Sequence, residues 1–428
     1  MKLKLFSLLL ALLIISCQPK PTETQAWLSS AEPTSVGFSS DFEAKLDAHI
    51  QSAINDTLLP GGTFLVAKDG HIIYEKSFGS LGGNTFRNNS IYRIASMTKA
   101  VTSVAMMQLV EDGKVDLDAP VYEYIPAFEN QVVLDTFNPA DSSYTTVPVE
   151  KPVTVRNLMT HTSGIVYGSF NPGKLMAVYE QFDMNVGFSH PTWTTEEWIN
   201  RLAEVPLAHQ PGARFSYGLN MDVMGRIIEV VSGQKLDQYF KEHIFDVVGM
   251  EDTYFYLPES KFDRLAPVAM KVNGAYRSTD DLGMQDFTNY PKEGPRDIFA
   301  GGAGLSSTAH DYAKFIETLV EGGGELLGKE AIAEMTKNQL PMVINDYEDY
   351  PKGSEGGFTL GFQLYEDLPT KRSPKSPGTY EWSGYFNTQF FIDPAEQMVF
   401  VGMTQINSFG ARNFWGEMYE LIYASLDE

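Results

Sequence analysis

Ser96-Met97-Thr98-Lys99 follows Ile91-Tyr92-Arg93-Ile94-Ala95 and opens a nearly continuous apolar run from Ala100 to Val110. A serine in the first turn of a buried helix holds its hydroxyl where unpaired backbone N–H groups and the helix dipole favour negative charge. A lysine three residues later shares that helical face, so its amine reaches the hydroxyl and can take its proton. An alcohol becomes a nucleophile in this way without a histidine. Spacing alone is a weak signal, because about one Ser-x-x-Lys is expected by chance in a chain of this length. A second copy makes the point: Ser232-Gly233-Gln234-Lys235 follows Ile227-Ile228-Glu229-Val230-Val231 and reads as the glycine-marked end of a helix, where the dipole has the wrong sign.

Outward from Ser96, the pattern predicts helices at 97–111, 155–159, 195–203, 219–231, 236–244 and 309–321. On the N-terminal side a helix is expected over 40–55, from the helical spacing of Phe42, Leu46, His49, Ile50 and Ala53, with Ser39 or Ser40 as its cap. Strands are expected at 63–68 and 71–78, joined by the hairpin signal Asp69-Gly70. A second strand set is expected at 358–365, 386–393 and 398–404, with Pro394-Ala395-Glu396-Gln397 as a turn, followed by a helix over 411–425. The two ends therefore read as one α/β unit of the α+β type, an antiparallel sheet flanked by terminal helices (about 38–91 and 341–428), with a large, mostly helical part (about 92–340) inserted. Residues 129–151 and 341–357 read as excursions or loops, and no internal repeat is evident.

Composition narrows the function. With 32 Lys plus Arg against 55 Asp plus Glu, the net charge is −23, which argues against a nucleic-acid binder. The single cysteine excludes an intrachain disulfide and any thiolate-rich metal or iron–sulfur site. The seven histidines, at 49, 71, 161, 190, 209, 243 and 310, show no ligand-like spacing, so neither a metal nor another cofactor is expected. Gly-x-Ser-x-Gly, His-Glu-x-x-His and Gly-x-Gly-x-x-Gly are absent, and the glycine-rich stretch ending at Lys329 continues with Glu330 where a P-loop needs a hydroxyl. Two lysines, an apolar run from Leu5 to Ile15 and Ile14-Ile15-Ser16-Cys17 open the chain. That run is too short to span a bilayer but fits a secretory signal. Its end resembles a bacterial lipobox, which implies a signal over 1–16, lipidation at Cys17, a tether over 17–37 and a functional domain over 38–428. The expected location is the bacterial cell envelope, anchored by lipid and facing the periplasm or the surface.

Two further stretches matter. Phe215-Ser216-Tyr217-Gly218-Leu219-Asn220 presents a tyrosine ahead of an amphipathic helix, and Glu381-Trp382-Ser383-Gly384-Tyr385 precedes an apolar strand. Together with Ser96 to Lys99, Val153 to Gly164 (containing Thr160-His161-Thr162-Ser163-Gly164) and Gly301 to Thr308, they form an ordered series. On these motifs the sequence resembles the serine β-lactamase-like family that includes class C β-lactamases, D,D-peptidases and esterases of the same fold. The resemblance covers the chain from about Phe38 to the C-terminal helix. It implies a β-lactamase/transpeptidase-like fold and an acyl-enzyme formed on Ser96, with Lys99 and Tyr217 sharing the general-base role. The backbone N–H groups of Ser96 and Tyr385 would receive the oxyanion, and Trp382, Ser383 and Gly384 would line the substrate. Arg156 and His161 read as structural, and Ser306 and Ser307 as the cap of the 309–321 helix.

Two departures bear on substrate. Penicillin-recognising members carry Tyr-x-Asn, whereas here position 219 is Leu and Asn220 comes one residue later. Their third motif begins with a cation, whereas here it begins with Trp382, and an indole cannot pair with the carboxylate of a penicillin or a D-alanyl terminus. Arg412 is the remaining candidate for that charge. The expectation is thus an esterase acting on a small-molecule ester, amide or β-lactam, with β-lactamase or D,D-peptidase activity as the rival within the class. A non-catalytic binding lipoprotein is the rival outside it.

Overall fold

In the computed structural model the described residues are 28–171, 173–184, 192–284, 289–294, 296–340, 356–366, 373–407 and 412–427. Cys17 and the whole signal segment lie outside them, as does the side chain of Arg412. A mixed sheet runs in the order Ser29–Ser30, His71–Leu81, Gly61–Lys68, Met398–Met403, Thr388–Asp393, Tyr380–Gly384, Gln363–Tyr365 and Gly356–Phe358, with Asn84–Thr85 beside His71–Leu81. Every pairing is antiparallel except that of the short first strand.

Side-chain alternation along the central strands buries both faces. Phe391 and Phe400 point one way, onto Tyr419 at 5.4 and 5.5 Å between ring centroids, and so pack against the Arg412–Tyr423 helix. Phe42–Asn55 joins that layer, with His49 stacked on Phe414 at 4.8 Å. Phe390 points the other way, onto Tyr312 of the Ala309–Val320 helix at 5.2 Å. Beyond this helix lie Thr98–Glu111, Val155–Met159, Thr195–Leu202 and Asn220–Ser232. Thr98–Glu111 is buried almost all round, which its continuous apolar run requires. Among the described residues no helix is long and apolar enough to cross a membrane.

The predicted helices are present within a residue or two of their expected ends, the last over Arg412–Tyr423, except that the one expected over 236–244 is α-helical only over Leu236–Phe240 and continues as a wider π turn over Lys241–Phe245; the Asp69-Gly70 hairpin forms with both residues at positive φ (53° and 76°). Several details differ. Asp41, not Ser39 or Ser40, precedes the first helix; Ser39 Oγ donates to its carboxylate at 2.7 Å. The expected strand over 358–365 is two short strands, Gly356–Phe358 and Gln363–Tyr365, because the chain turns at Gly361 (φ 109°). A side chain at Gly361 would drive into Ser103 of the Thr98–Glu111 helix. Residues 129–151 contain a hairpin, Val132–Phe137 with Tyr144–Pro148. Thr308, not Ser306 or Ser307, caps the Ala309–Val320 helix through Asp311 N–H at 3.1 Å. The two serines instead pair with Tyr92–Arg93 and hold the approach to Ser96.

Tyr380–Gly384 was not expected as a strand, and it places the third motif. It pairs along its full length with Thr388–Asp393, but with Gln363–Tyr365 only through Tyr380 and Glu381, so 382–384 run past the end of that neighbour. A Cβ on Gly384 would sit 2.2 Å from Thr388 Oγ1 and 2.3 Å from Ile94 O, so only glycine lets this strand approach the backbone that leads into Ser96. Gly384→Ala is expected to destabilise the protein by about 1–3 kcal/mol through overpacking. A urea titration should show a lower midpoint at unchanged slope, and an unchanged midpoint would contradict the tight approach.

Candidate active site

The chain reaches Ser96 through Ala95, whose φ of 43° is unusual for a residue with a side chain. One tight turn, Ala95–Met97, then feeds Thr98–Glu111, so Ser96 sits at the positive end of the buried helix. Lys99 is only 1% exposed. An ammonium so placed must use its three donors on protein atoms. It bonds Gly302 O at 2.6 Å, Ser96 Oγ at 3.2 Å and Tyr167 OH at 3.3 Å, and lies 4.7 Å from the centre of the Tyr217 ring.

The Gly302 peptide joins Lys99 to a second buried charge. Its carbonyl accepts from Lys99, while its N–H donates to Asp222 Oδ1 at 2.9 Å. Burial pushes the Asp222 carboxyl up to about 6, against the opposing pull of the Lys99 charge and of the Gly302 N–H. Asp222 Oδ2 is buried without a hydrogen-bond partner, and a Cβ on Gly302 would come within 2.7 Å of it. The glycine is what allows the carboxylate to lie flat against this peptide.

Tyr217 OH stands 2.8 Å from Ser96 Oγ and receives a long bond from Trp382 Nε1 at 3.4 Å. Its ring lies among those of His161, Tyr167 and Trp382, at 4.9, 5.4 and 5.5 Å. Gly218 makes this loop possible, since a Cβ there would be 2.2 Å from Ile165 O. Burial, with Asp222 and Tyr217 adding to it, holds the Tyr167 phenol well above its ordinary value, so it meets Lys99 as a neutral hydroxyl.

Asn220 is not part of this cluster. It is the first residue of Asn220–Ser232, and its amide turns inward: Oδ1 accepts from Ser163 Oγ at 2.5 Å, and Nδ2 donates to His161 Nδ1 at 2.9 Å and to Ile165 O at 3.3 Å. With Nδ1 accepting, the network assigns the His161 proton to Nε2, which is buried without a hydrogen-bond partner beside the rings of Phe215 and Phe358. Burial and then the Lys99 charge hold this imidazole well below its ordinary value. Arg156 lies elsewhere, bridging Asp118, Glu334 and Gln339.

Ser96, Tyr217, Trp382, Ser383, Gly384 and Tyr385 share one cavity of about 420 Å³. Phe170, Phe215, Glu381 and Trp415 complete its walls with Gln363, Asn387 and Gln389, so no lysine or arginine lines it among the described residues. Glu381 is held in a close ion pair with Lys375. Tyr167, Asp222 and the Gly302 carbonyl escaped the sequence reading. Asp222, in the first turn of the helix that follows the Tyr217 loop, was the one with a readable signal, a carboxylate inside an apolar segment.

A profile of the Beta-lactamase family matches residues 46–417. Esterase EstB of Burkholderia gladioli is 27% identical over 386 residues, covering 86% of this chain and 91% of its own. Acyltransferase calJ of Penicillium decumbens is 31% identical over 385 residues, covering 83% and 88%. Among solved structures, EstCE1, described as a hydrolase with promiscuous acyltransferase activity, superposes with a TM-score of 0.76 at 23% identity over 89% of this chain and 98% of that one, a likeness of fold. With the profile running from the first helix into the last, this chain belongs to the Beta-lactamase family of serine hydrolases.

Proposed function

We propose that the protein cleaves carboxylic esters through an acyl-enzyme on Ser96. The observation that carries this reading is a serine hydroxyl held at once by Lys99 and Tyr217, beside a strand that offers an indole where a penicillin-binding site needs a cation. Ser96 Oγ attacks the ester carbon while its proton passes to the Tyr217 oxygen, which acts as a phenolate held beside the Lys99 ammonium, and the carbonyl electrons move onto oxygen. That oxyanion is received by the N–H groups of Ser96 and Tyr385. Collapse expels the alcohol, which takes the proton back through Tyr217. Water then adds to the acyl-enzyme by the same route, releasing the acid and regenerating Ser96. Esterase and acyltransferase relatives support this choice over β-lactam turnover, as does a cavity that no lysine or arginine lines among the described residues.

Hydrolysis of p-nitrophenyl butyrate tests the reading. Ser96→Ala should lower kcat/KM by roughly 10³-fold or more, and Lys99→Ala and Tyr217→Phe by about 10²–10⁴-fold. Intact mass after reaction with the ester should show one acyl adduct on wild type and none on Ser96→Ala. Turnover that survives Ser96→Ala overturns the assignment, and nitrocefin hydrolysed as fast as the ester overturns the substrate preference.

Asp222 adds a pH dependence. Its carboxyl, raised above the unfolded value, is charged above about pH 6 and takes a proton as pH falls through that value, which removes the anion opposite Lys99. Ester turnover should fall across that window, and Asp222→Asn should lower the plateau and abolish the limb. A wild-type limb that persists in Asp222→Asn belongs to another group.

We infer also that Cys17 carries a lipid anchor, on the strength of the Leu5 to Cys17 segment. The full chain expressed in a bacterium should sediment with membranes and Cys17→Ser should not. Equal partition of the two would refute the anchor.

A further inference from the structure

Phe170 is the most exposed large apolar side chain of the cavity wall, at 53%. Its ring is within 9° of parallel to that of Tyr385, with the centroids 6.3 Å apart. A flat ring stacked on either face needs roughly 3.5 Å, one van der Waals contact distance, and Phe170, 53% exposed, leaves apolar surface open to it. The two rings thus present flat faces in one orientation. Tyr385 is anchored edge-on against Phe386, at 86° and 5.3 Å, so its plane is set by the protein.

The position of this pair relative to the reacting bond indicates which part of a substrate reaches it. The leaving alcohol has to recover a proton from Tyr217, which Trp382 touches, so the alcohol lies toward the Trp382 end of 382–385. That leaves the Tyr385 end of the cavity for the acyl group, and Phe170 reaches the same end from beside Tyr167, at 5.2 Å between ring centroids. Among the described residues the wall's one carboxylate, Glu381, stands next to Trp382 in the strand. Resting on the ester-cleaving reading above, we propose that Phe170 and Tyr385 form an acyl subsite for a planar, uncharged aromatic acid, making the enzyme selective for esters of benzoate type over saturated rings of equal carbon count. Stacking on a pre-oriented aromatic face favours a flat ring over a puckered one.

The test compares vinyl benzoate with vinyl cyclohexanecarboxylate, which share an alcohol and a six-carbon ring and differ in planarity. Wild type is expected to favour the benzoate in kcat/KM by roughly 5- to 20-fold, mainly through KM. Phe170→Leu, apolar but not flat, should bring the ratio to within about twofold of one, and Phe170→Tyr should restore it. A wild-type ratio at or below one, or a ratio unchanged in Phe170→Leu, overturns the subsite while Ser96-dependent turnover leaves the ester-cleaving reading standing. Absence of turnover on both esters, or turnover that survives Ser96→Ala, overturns that reading and the subsite with it.

Discussion

The buried ammonium of Lys99 is the constraint to which the rest of the site answers. Removing an ammonium from water costs several kcal/mol unless its donors and charge are met. Here they are met by three oxygens from three separate stretches of chain and by the Asp222 carboxylate behind the Gly302 peptide. Each contact fixes a tertiary relation. Gly302 must lie between Thr98–Glu111 and Asn220–Ser232, which is why neither Gly301 nor Gly302 has room for a side chain: a Cβ at Gly301 would meet Met221 O at 2.5 Å. Thr102 Oγ1 donates to Gly301 O at 2.6 Å and ties the same loop to the lysine's own helix one turn on. Misplacing the loop strands a charge, so the packing of the helical region and the chemistry of the site are one problem.

The sheet contributes by approach. Gly384 brings Tyr380–Gly384 against Ile94, and Trp382 is thereby set on Tyr217. An indole in this place donates one hydrogen bond to the phenol and adds no charge. A cation there would be a second positive charge close to Lys99 and would hold anionic substrates. The neutral donor orients Tyr217 without either effect, in a chain whose net charge of −23 already repels anions.

Much of this was legible in the sequence because periodicity reports burial. Phe42, Leu46, Ile50 and Ala53 recur as one buried helical stripe, and Asp69-Gly70 supplies the two positive φ values that a two-residue hairpin demands. Ser96 and Lys99 were readable because three residues along a helix is a fixed distance. Tyr380–Gly384 alternates large and polar side chains as a strand does, but for five residues only, too few to separate from a loop. Tyr167 had no signal of this kind. It reaches Lys99 because the chain reverses at His161 and Gly164, both at positive φ, and such a reversal carries no period. The walls of the cavity, Phe170 and Trp415 among them, meet only through the tertiary fold.

The shift of asparagine from position 219 to 220 then has a geometric consequence. Leu219 stands just before the helix and Asn220 is its first residue, where the amide contacts His161 and Ser163 and not the lysine. The lysine is left to a hydroxyl instead, and the Tyr167 phenol provides it. Because burial keeps that phenol protonated, it can bond the ammonium but cannot take the serine proton. The displaced amide meanwhile fixes the tautomer of His161, whose ring backs Tyr217. The two departures from the penicillin-recognising pattern thus act together: a phenol stands in for an amide and an indole for a cation. Both substitutions keep Lys99 and Tyr217 on Ser96, and the ester-cleaving reading proposed above rests on their taking away the amide and the cation of the penicillin-recognising pattern.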